Sequence, residues 1–294
     1  MQNKEDGTGR DWQAIAIFVV AAYTISWSVN LGLRAMGVTF FARVALSMFG
    51  PAVAAMLVRG PLCGVGFADA GLRPNLRLSG RPYVGAYLAV PAALGLALIL
   101  ALLTHVQHFD PYANLLWLYH LYERSGTKPP TNHDAMLVLI FGGLSALTVA
   151  IPVNMVFAFG EEFGWRGFLL PRLSALTGEP IAVIIVGLIW GGWHLPLVLL
   201  DGYEYPFSPS LAVPMTLVLF MVLSTLIAPL RLRSGSIWPA TIAHAALNAQ
   251  AGLVFLALAP RNAFGGAPVG IIGIISFVIV AVALWRVLPL DVQA

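Results

Sequence analysis

Long apolar runs separated by short polar connections set the pattern of this chain. A helix that crosses a bilayer needs about 20 apolar residues, and eight runs qualify as candidates: Trp12 to Met36, Phe40 to Val58, Tyr83 to Val106, Ala135 to Phe159, Ile181 to Leu200, Ser210 to Leu230, Ile237 to Ala259 and Val269 to Val287. The pattern predicts an all-α, polytopic transmembrane helix bundle of about eight spans with a central polar cavity. Two connections are longer than the rest. One, after the second run, contains Arg59, Arg73, Arg77 and Arg81; the other, Gln107 to Asp134, mixes Asp110, Glu123, Arg124, Lys128 and Asp134 and includes the irregular stretch Thr127 to Asn132.

Composition agrees. Hydrophobic residues make up 59% and charged residues 10% of the 294 positions, and the mean hydropathy is +0.84, outside the range of a soluble domain. A chain this apolar forms one integral membrane domain over residues 1–294 more readily than two soluble ones. The net charge of +3 does not point to nucleic acid, because the basic residues stand singly between apolar runs and form no stripe that could follow a phosphate backbone. They report orientation instead. If the arginine-rich connection is cytoplasmic, eight spans place both termini inside with eleven of the sixteen basic residues, whereas Arg34, Arg43, Arg124, Lys128 and Arg261 lie outside. Seven spans would spoil that asymmetry. Cys63, the single cysteine, can form neither an intrachain disulfide nor a cysteine metal cluster. The first run is too long for a signal-peptide core and reads as a retained helix, and no repeat or low-complexity tract stands out.

Ionisable side chains within spans are costly and are functional candidates by default. Three groups stand out in a motif region of about residues 157–250. In the first, Glu161 and Glu162 precede Arg166. On a helix Glu162 and Arg166, four apart, share a face and can pair, while Glu161 points about 100° away and is free to face the bundle interior. A carboxylate at such a boundary, balanced between desolvation and a nearby cation, suits a general base, and Glu161 is the candidate; an ion-pair cluster that merely anchors a helix end explains the same residues. The second group, Trp190-Gly191-Gly192-Trp193-His194-Leu195-Pro196, has paired glycines that allow close helix approach and a proline after the histidine. The third places His244 and Asn248 on one helix face; a polar packing contact between helices is the competing account. Together, two acids, an arginine, two histidines and an asparagine from three spans amount to acid/base equipment with donors for an oxyanion. There is no Ser or Cys in a recognisable nucleophile setting, no HExxH and no glycine-rich phosphate loop, so activated water is the simplest mechanism.

The spacing EExxxR at Glu161, Glu162 and Arg166, aromatic-xxx-His at Trp190 and His194, and HxxxN at His244 and Asn248 resembles that of the CAAX protease and bacteriocin-processing family of intramembrane endopeptidases; the Phe49-Gly50-Pro51-Ala52 turn is similar too. The aromatic is usually phenylalanine in that family and is Trp190 here. The resemblance implies that Glu161 activates water with Glu162 assisting, that His194 and Asn248 stabilise the oxyanion, that His244 positions the water or a metal, and that Arg166 braces the acids. It implies a membrane-anchored peptide or protein as substrate, including prenylated C-a-a-X tails among eukaryotic relatives. Glu161, His194, His244 and Asn248 would be the ligands of a divalent metal such as Zn²⁺, although Asn is an unusual zinc ligand; a direct glutamate–water mechanism is slightly favoured. The Ala-, Gly-, Leu-, Val- and Arg-rich usage suggests a bacterial cell membrane, where prenylated targets are unexpected.

Depth poses a difficulty. At 1.5 Å per residue Glu161 lies at the inner edge of its run, His244 roughly 10 Å in and His194 roughly 20 Å in. A tilted span, an unwound stretch near Gly191 to Pro196, or a fourth helix continuing through Leu173 would reconcile them, and a cavity open to the cytoplasm should result. Two other function classes compete: a proton- or ion-coupled transporter using the same acids and histidines, which requires a pathway to both faces, and a catalytically silent relative that binds a partner.

Overall fold

The computed structural model describes residues 2–76, 80–121, 128–206 and 208–288, with side chains from Gly9 onward except at 121. Within a bilayer every backbone polar group must be satisfied inside the segment, and the apolar runs form helices accordingly. In chain order these are α1 (Gln2–Ala35), α2 (Phe40–Ser47), α3 (Gly50–Leu57), α4 (Gly80–Leu103), α5 (Pro111–Leu121), α6 (Asn132–Leu147), α7 (Ala150–Gly164), α8 (Leu170–Thr177), α9 (Glu179–Asp201), α10 (Pro209–Ser234), α11 (Trp238–Ala257) and α12 (Ile271–Val287). Two π-turns, Val58–Leu62 and Trp165–Leu169, continue α3 and join α7 to α8.

Six segments among the described residues are long and apolar enough to cross a membrane, and α6 with Ala150–Thr177, bent by 59°, makes a seventh if it counts as one span. α12, at 17 residues, is slightly shorter. The outer surface is apolar, with Val20, Phe41, Leu88, Val153 and Val282 all exposed, as expected where lipid is the solvent. This is an integral membrane protein.

The expected run from Ala135 to Phe159 is corrected in its interior. The chain breaks at Thr148, whose ψ of −97° is not helical, and restarts so that Pro152 falls in the first turn of α7, where its missing N–H is tolerated. The connection from Gln107 to Asp134, read as loop, contains α5 and a two-residue strand, β1 (His108–Phe109), paired antiparallel with β2 (Leu258–Ala259). Within the irregular stretch, Thr127 lies outside the described residues; Thr131 caps α6 in a capping box with Asp134.

Polar contacts sort the connections onto two ends of the bundle. On one end Arg172 meets Asp69 and, at 4.0 Å, Asp11; Asn75 bonds Ser234; Trp238 bonds Leu72; and Arg233 reaches Glu179 and the Leu288 carbonyl. On the other end Asp201 pairs with Arg34 and Arg43, Gln107 bonds Pro260, and Asn114 bonds Leu256 and Leu258. Asp11 and Leu288 therefore share an end, which fits an even number of crossings.

Candidate active site

Glu161 and Glu162 can sit deep in the bundle because the residues bracketing them have no side chains. A β-carbon on Gly160 would stand 2.7 Å from the Met48 carbonyl oxygen, and one on Gly164 2.5 Å from Pro51 Cβ. Bare backbone thus lets α7 lie directly on the Phe49-Gly50-Pro51-Ala52 turn at the start of α3. On the far side, Gly187 lies against the Met221 backbone, where a β-carbon would be 2.5 Å from Cα, and this brings α9 onto α10.

Adjacent on one helix, the two acids face different partners. Glu162 Oε1 accepts from Arg166 Nη1 at 2.8 Å and lies 2.8 Å from His244 Nδ1, while Oε2 is buried with no hydrogen-bond partner. Glu161 Oε2 accepts from the indole Nε1 of Trp190 at 2.6 Å and of Trp165 at 3.3 Å. The Trp190 ring covers the Arg166 guanidinium at 4.4 Å and lies 5.2 Å from the His244 ring. One turn later His194 Nδ1 is 2.9 Å from the Trp190 carbonyl, and its imidazole stacks on Phe220 with centroids 3.9 Å apart. Five of the six selected residues thus form one connected cluster, with exposures of 2% for Glu161, 0% for Glu162 and Arg166, 8% for His194 and 4% for His244. Asn248, one turn beyond His244, is exposed and makes no hydrogen bond among the described residues.

The depth difficulty is resolved by the third of the expected routes. The carboxylate helix does not end at Phe159 but runs on through the π-turn and α8 to Thr177, all of Gly160 to Leu170 being buried. α9 stays helical through Gly191 to Pro196.

The indole donors escaped the sequence reading. The motif marks Trp190 only as the aromatic four residues before His194, yet its ring nitrogen, its carbonyl and its π-face each hold a different member of the cluster. Trp165 belongs to none of the three motifs, although it stands four residues after Glu161, the same spacing that links Glu162 to Arg166. Phe220 has no motif around it and is placed only by the packing of α10 on α9.

A resident metal does not fit these side chains as arranged. Among the described residues no three His, Cys, Asp or Glu side chains are grouped so as to hold one. Glu161 and His244 engage different partners, and Asn248 is exposed and shares no hydrogen bond with them. No step below runs through a metal.

Comparison with known proteins bears on the same region. Residues 135–250 match the family model described as type II CAAX prenyl endopeptidase Rce1-like. This segment is similar to the Rce1-like family. All six selected residues lie within the Rce1-like segment, as do Trp165, Trp190 and Phe220. A curated relative, CAAX prenyl protease 2 of Methanococcus maripaludis, is 34% identical over 68 residues, 22% of this chain and 25% of the relative. The match thus spans about a quarter of that relative's length.

Proposed function

We propose that the protein is an intramembrane endopeptidase that hydrolyses a peptide bond of a membrane-anchored peptide or protein with water activated by Glu161. One observation carries the reading: Glu162, Arg166 and His244, from the carboxylate helix, its π-turn and α11, meet at a single carboxylate oxygen, beside a second carboxylate held by two indoles. An ion-pair cluster that only anchored a helix end would not need His244 or the Trp190 donor.

The residues divide the work as follows. Oε2 of Glu161 is occupied by two N–H donors, which fixes the carboxylate plane and leaves Oε1 to accept from water. With neutral histidines the formal charge of Glu161, Glu162 and Arg166 is one negative. When Glu161 takes a proton from the attacking water the cluster becomes neutral, and the negative charge passes to the carbonyl oxygen of the substrate. Glu162 balances Arg166 and, accepting from Nδ1–H of His244, fixes the tautomer so that Nε2 faces the reacting volume. His194 is fixed in the same way by the Trp190 carbonyl. In that tautomer its Nε2 carries a lone pair, so serving the oxyanion as a donor, the role implied by resemblance, requires the doubly protonated ring. Asn248 is placed at the accessible edge of the cluster, where its amide can meet a substrate entering from outside it. We place the protein in a bacterial cell membrane with both termini cytoplasmic. The name of the Methanococcus relative makes peptides ending in prenylated C-a-a-X sequences the first substrates to try.

The test is cleavage of prenylated C-a-a-X peptides and of a library of other membrane-anchored peptides by the purified protein in detergent. Native chain, Glu161→Ala and His244→Ala would be compared with and without a chelator, and products mapped by mass. Cleavage lost in both variants and indifferent to chelator is the expected result. Loss on chelation would replace activated water by a metal mechanism, and absent cleavage with altered ion flux in vesicles would replace the protease by a transporter.

A further inference from the structure

Behind the acids lies a second polar assembly that belongs to none of the three motifs. In a π-turn hydrogen bonds run from residue i to i+5, and the change of register from α-helix disturbs the pairing of neighbouring carbonyls; buried carbonyls must find donors elsewhere. Next to Glu162 and its partner Arg166, three successive carbonyls of the turn Trp165–Leu169 find them on three arginine side chains. Arg231 Nε donates to the Arg166 carbonyl at 3.0 Å, Arg59 Nη2 to that of Gly167, and Arg172 Nη1 to that of Phe168 at 3.4 Å. Their exposures are 9%, 1% and 8%.

One residue gathers all three. Asp69, in the connection between α3 and α4, pairs through Oδ1 with Arg59 Nη1 at 2.5 Å, through Oδ2 with Arg172 Nη1 at 2.7 Å, and through its backbone carbonyl with Arg231 Nη2 at 2.8 Å. The same connection also grips α11. The Gly71 carbonyl accepts from the Ile237 amide at 2.9 Å, and the Leu72 carbonyl accepts from Trp238 Nε1 at 2.8 Å. Gly71 has a φ of +69°, and a β-carbon there would lie 2.9 Å from Arg231 Cζ, so only glycine lets the chain turn this close to the guanidinium. The loop therefore touches both sides of the bond between Glu162 and His244: the turn that carries Arg166, and the start of the helix that carries His244.

We propose that Asp69 is a positioning residue, which through Arg59, Arg172 and Arg231 and through the Gly71–Leu72 backbone holds the carboxylate helix and α11 in the register that joins Glu162 to His244. The inference rests on the hydrolytic reading for its kinetic consequence but not for its geometry. Asp69 touches no reacting atom, and the effect is on the placing of groups that do; misplacing catalytic groups by about 1 Å can cost about a hundred-fold in rate.

The experiment uses the full chain with Asp69→Asn, Asp69→Glu and Gly71→Ala, assayed on whichever peptide the native protein cleaves. A second readout is the spin-label distance between Ala175 on α8 and Ile242 on α11, measured in a Cys63→Ser background. For Asp69→Asn the expected result is a kcat lower by about ten- to a hundred-fold with KM within about two-fold of native, partial recovery in Asp69→Glu, and a broadened distance distribution. If Asp69→Asn does not fold, Gly71→Ala, which displaces the same loop, takes its place with the same expectations. Native kcat, a change confined to KM, or an unaltered distance distribution would overturn the proposal. If the native chain cleaves nothing, the hydrolytic reading fails, and the label distances still decide whether Asp69 sets the register.

Discussion

Trp190 shows how much one side chain carries at this site. Its Nε1 donates to Glu161, its carbonyl fixes His194, and its ring covers Arg166. Trp190→Phe keeps the ring and the carbonyl and removes only the donor, leaving Glu161 with Trp165 at 3.3 Å. A hydrogen bond to a charged group is worth about 1.5–3 kcal/mol, so kcat on a cleaved peptide is expected to fall about ten-fold or more with the protein still folded. An unchanged kcat would mean that the indole only fills space. A second residue-scale expectation concerns Glu204, in the connection between α9 and α10. Burial pushes its carboxyl up to about 7 despite a hydrogen bond from Tyr203, and Oε2 is buried and unpartnered. Since the folded value is raised, the unfolded chain ionises first. Stability is therefore unaffected below about pH 4, falls as pH rises through the interval to about 7, and stays reduced above it. Glu204→Gln is expected to match native thermal stability at pH 4 and exceed it at pH 8 by on the order of 2–3 kcal/mol. Equal melting of the two proteins at pH 8 would count against a buried, protonated Glu204.

At the scale of elements, the packing of α7 on α3 depends on glycines whose neighbours are backbone and cannot yield. Gly164→Ala would drive a methyl against Pro51, 2.5 Å from its Cβ and 2.9 Å from its carbonyl carbon. Overpacking of this kind costs about 1–3 kcal/mol, and here it also moves the helix that bears Glu161 and Glu162. Both melting temperature and kcat are expected to drop. Gly95→Ala on α4, with nothing within 4 Å of the added carbon, is the contrasting case and should leave both unchanged or slightly raise stability through helix propensity; equal effects of the two changes would refute the close-packing account. The elements also mark what sequence could convey. Apolar runs reveal helices because their length is set by the bilayer, and i,i+4 spacing revealed the Glu162–Arg166 pair because both residues lie on one helix. The partnership of Glu162 with His244, 82 residues apart, was legible only as two motifs facing a common volume. Asp69 was invisible: a lone aspartate in a polar loop has no periodicity, and its role depends on arginines contributed by three different elements. The break at Thr148 had a local signal in Pro152 that was outweighed by the hydrophobicity around it.

For the whole molecule, the polar contacts between connections assign each loop to one of two ends without reference to charge, and charge then orients the ends. The end built from residues 63–76, the start of α9, the turn from α10 to α11 and the close of α12 holds Arg59, Arg73, Arg172, Arg231 and Arg233, whereas Arg34, Arg43 and Arg261 lie at the other. Positive residues favour the cytoplasmic side, and we propose on that ground that the Asp69 assembly and the entry to α11 face the cytoplasm and Glu204 the outside. Among the described residues between Arg73 and Lys128 only α4 is long enough to cross, so the two exposed residues are expected on opposite sides of the membrane whatever the number of crossings elsewhere. In a Cys63→Ser background, a membrane-impermeant thiol reagent applied to intact cells is expected to label Lys128→Cys and not Arg73→Cys, and inverted vesicles should reverse the pattern. Labelling of both from one side would break the α4 crossing and with it the bundle; the pattern reversed as a whole would keep the bundle but turn the Asp69 end outward, and any substrate reaching the acids from that end would then come from outside the cell.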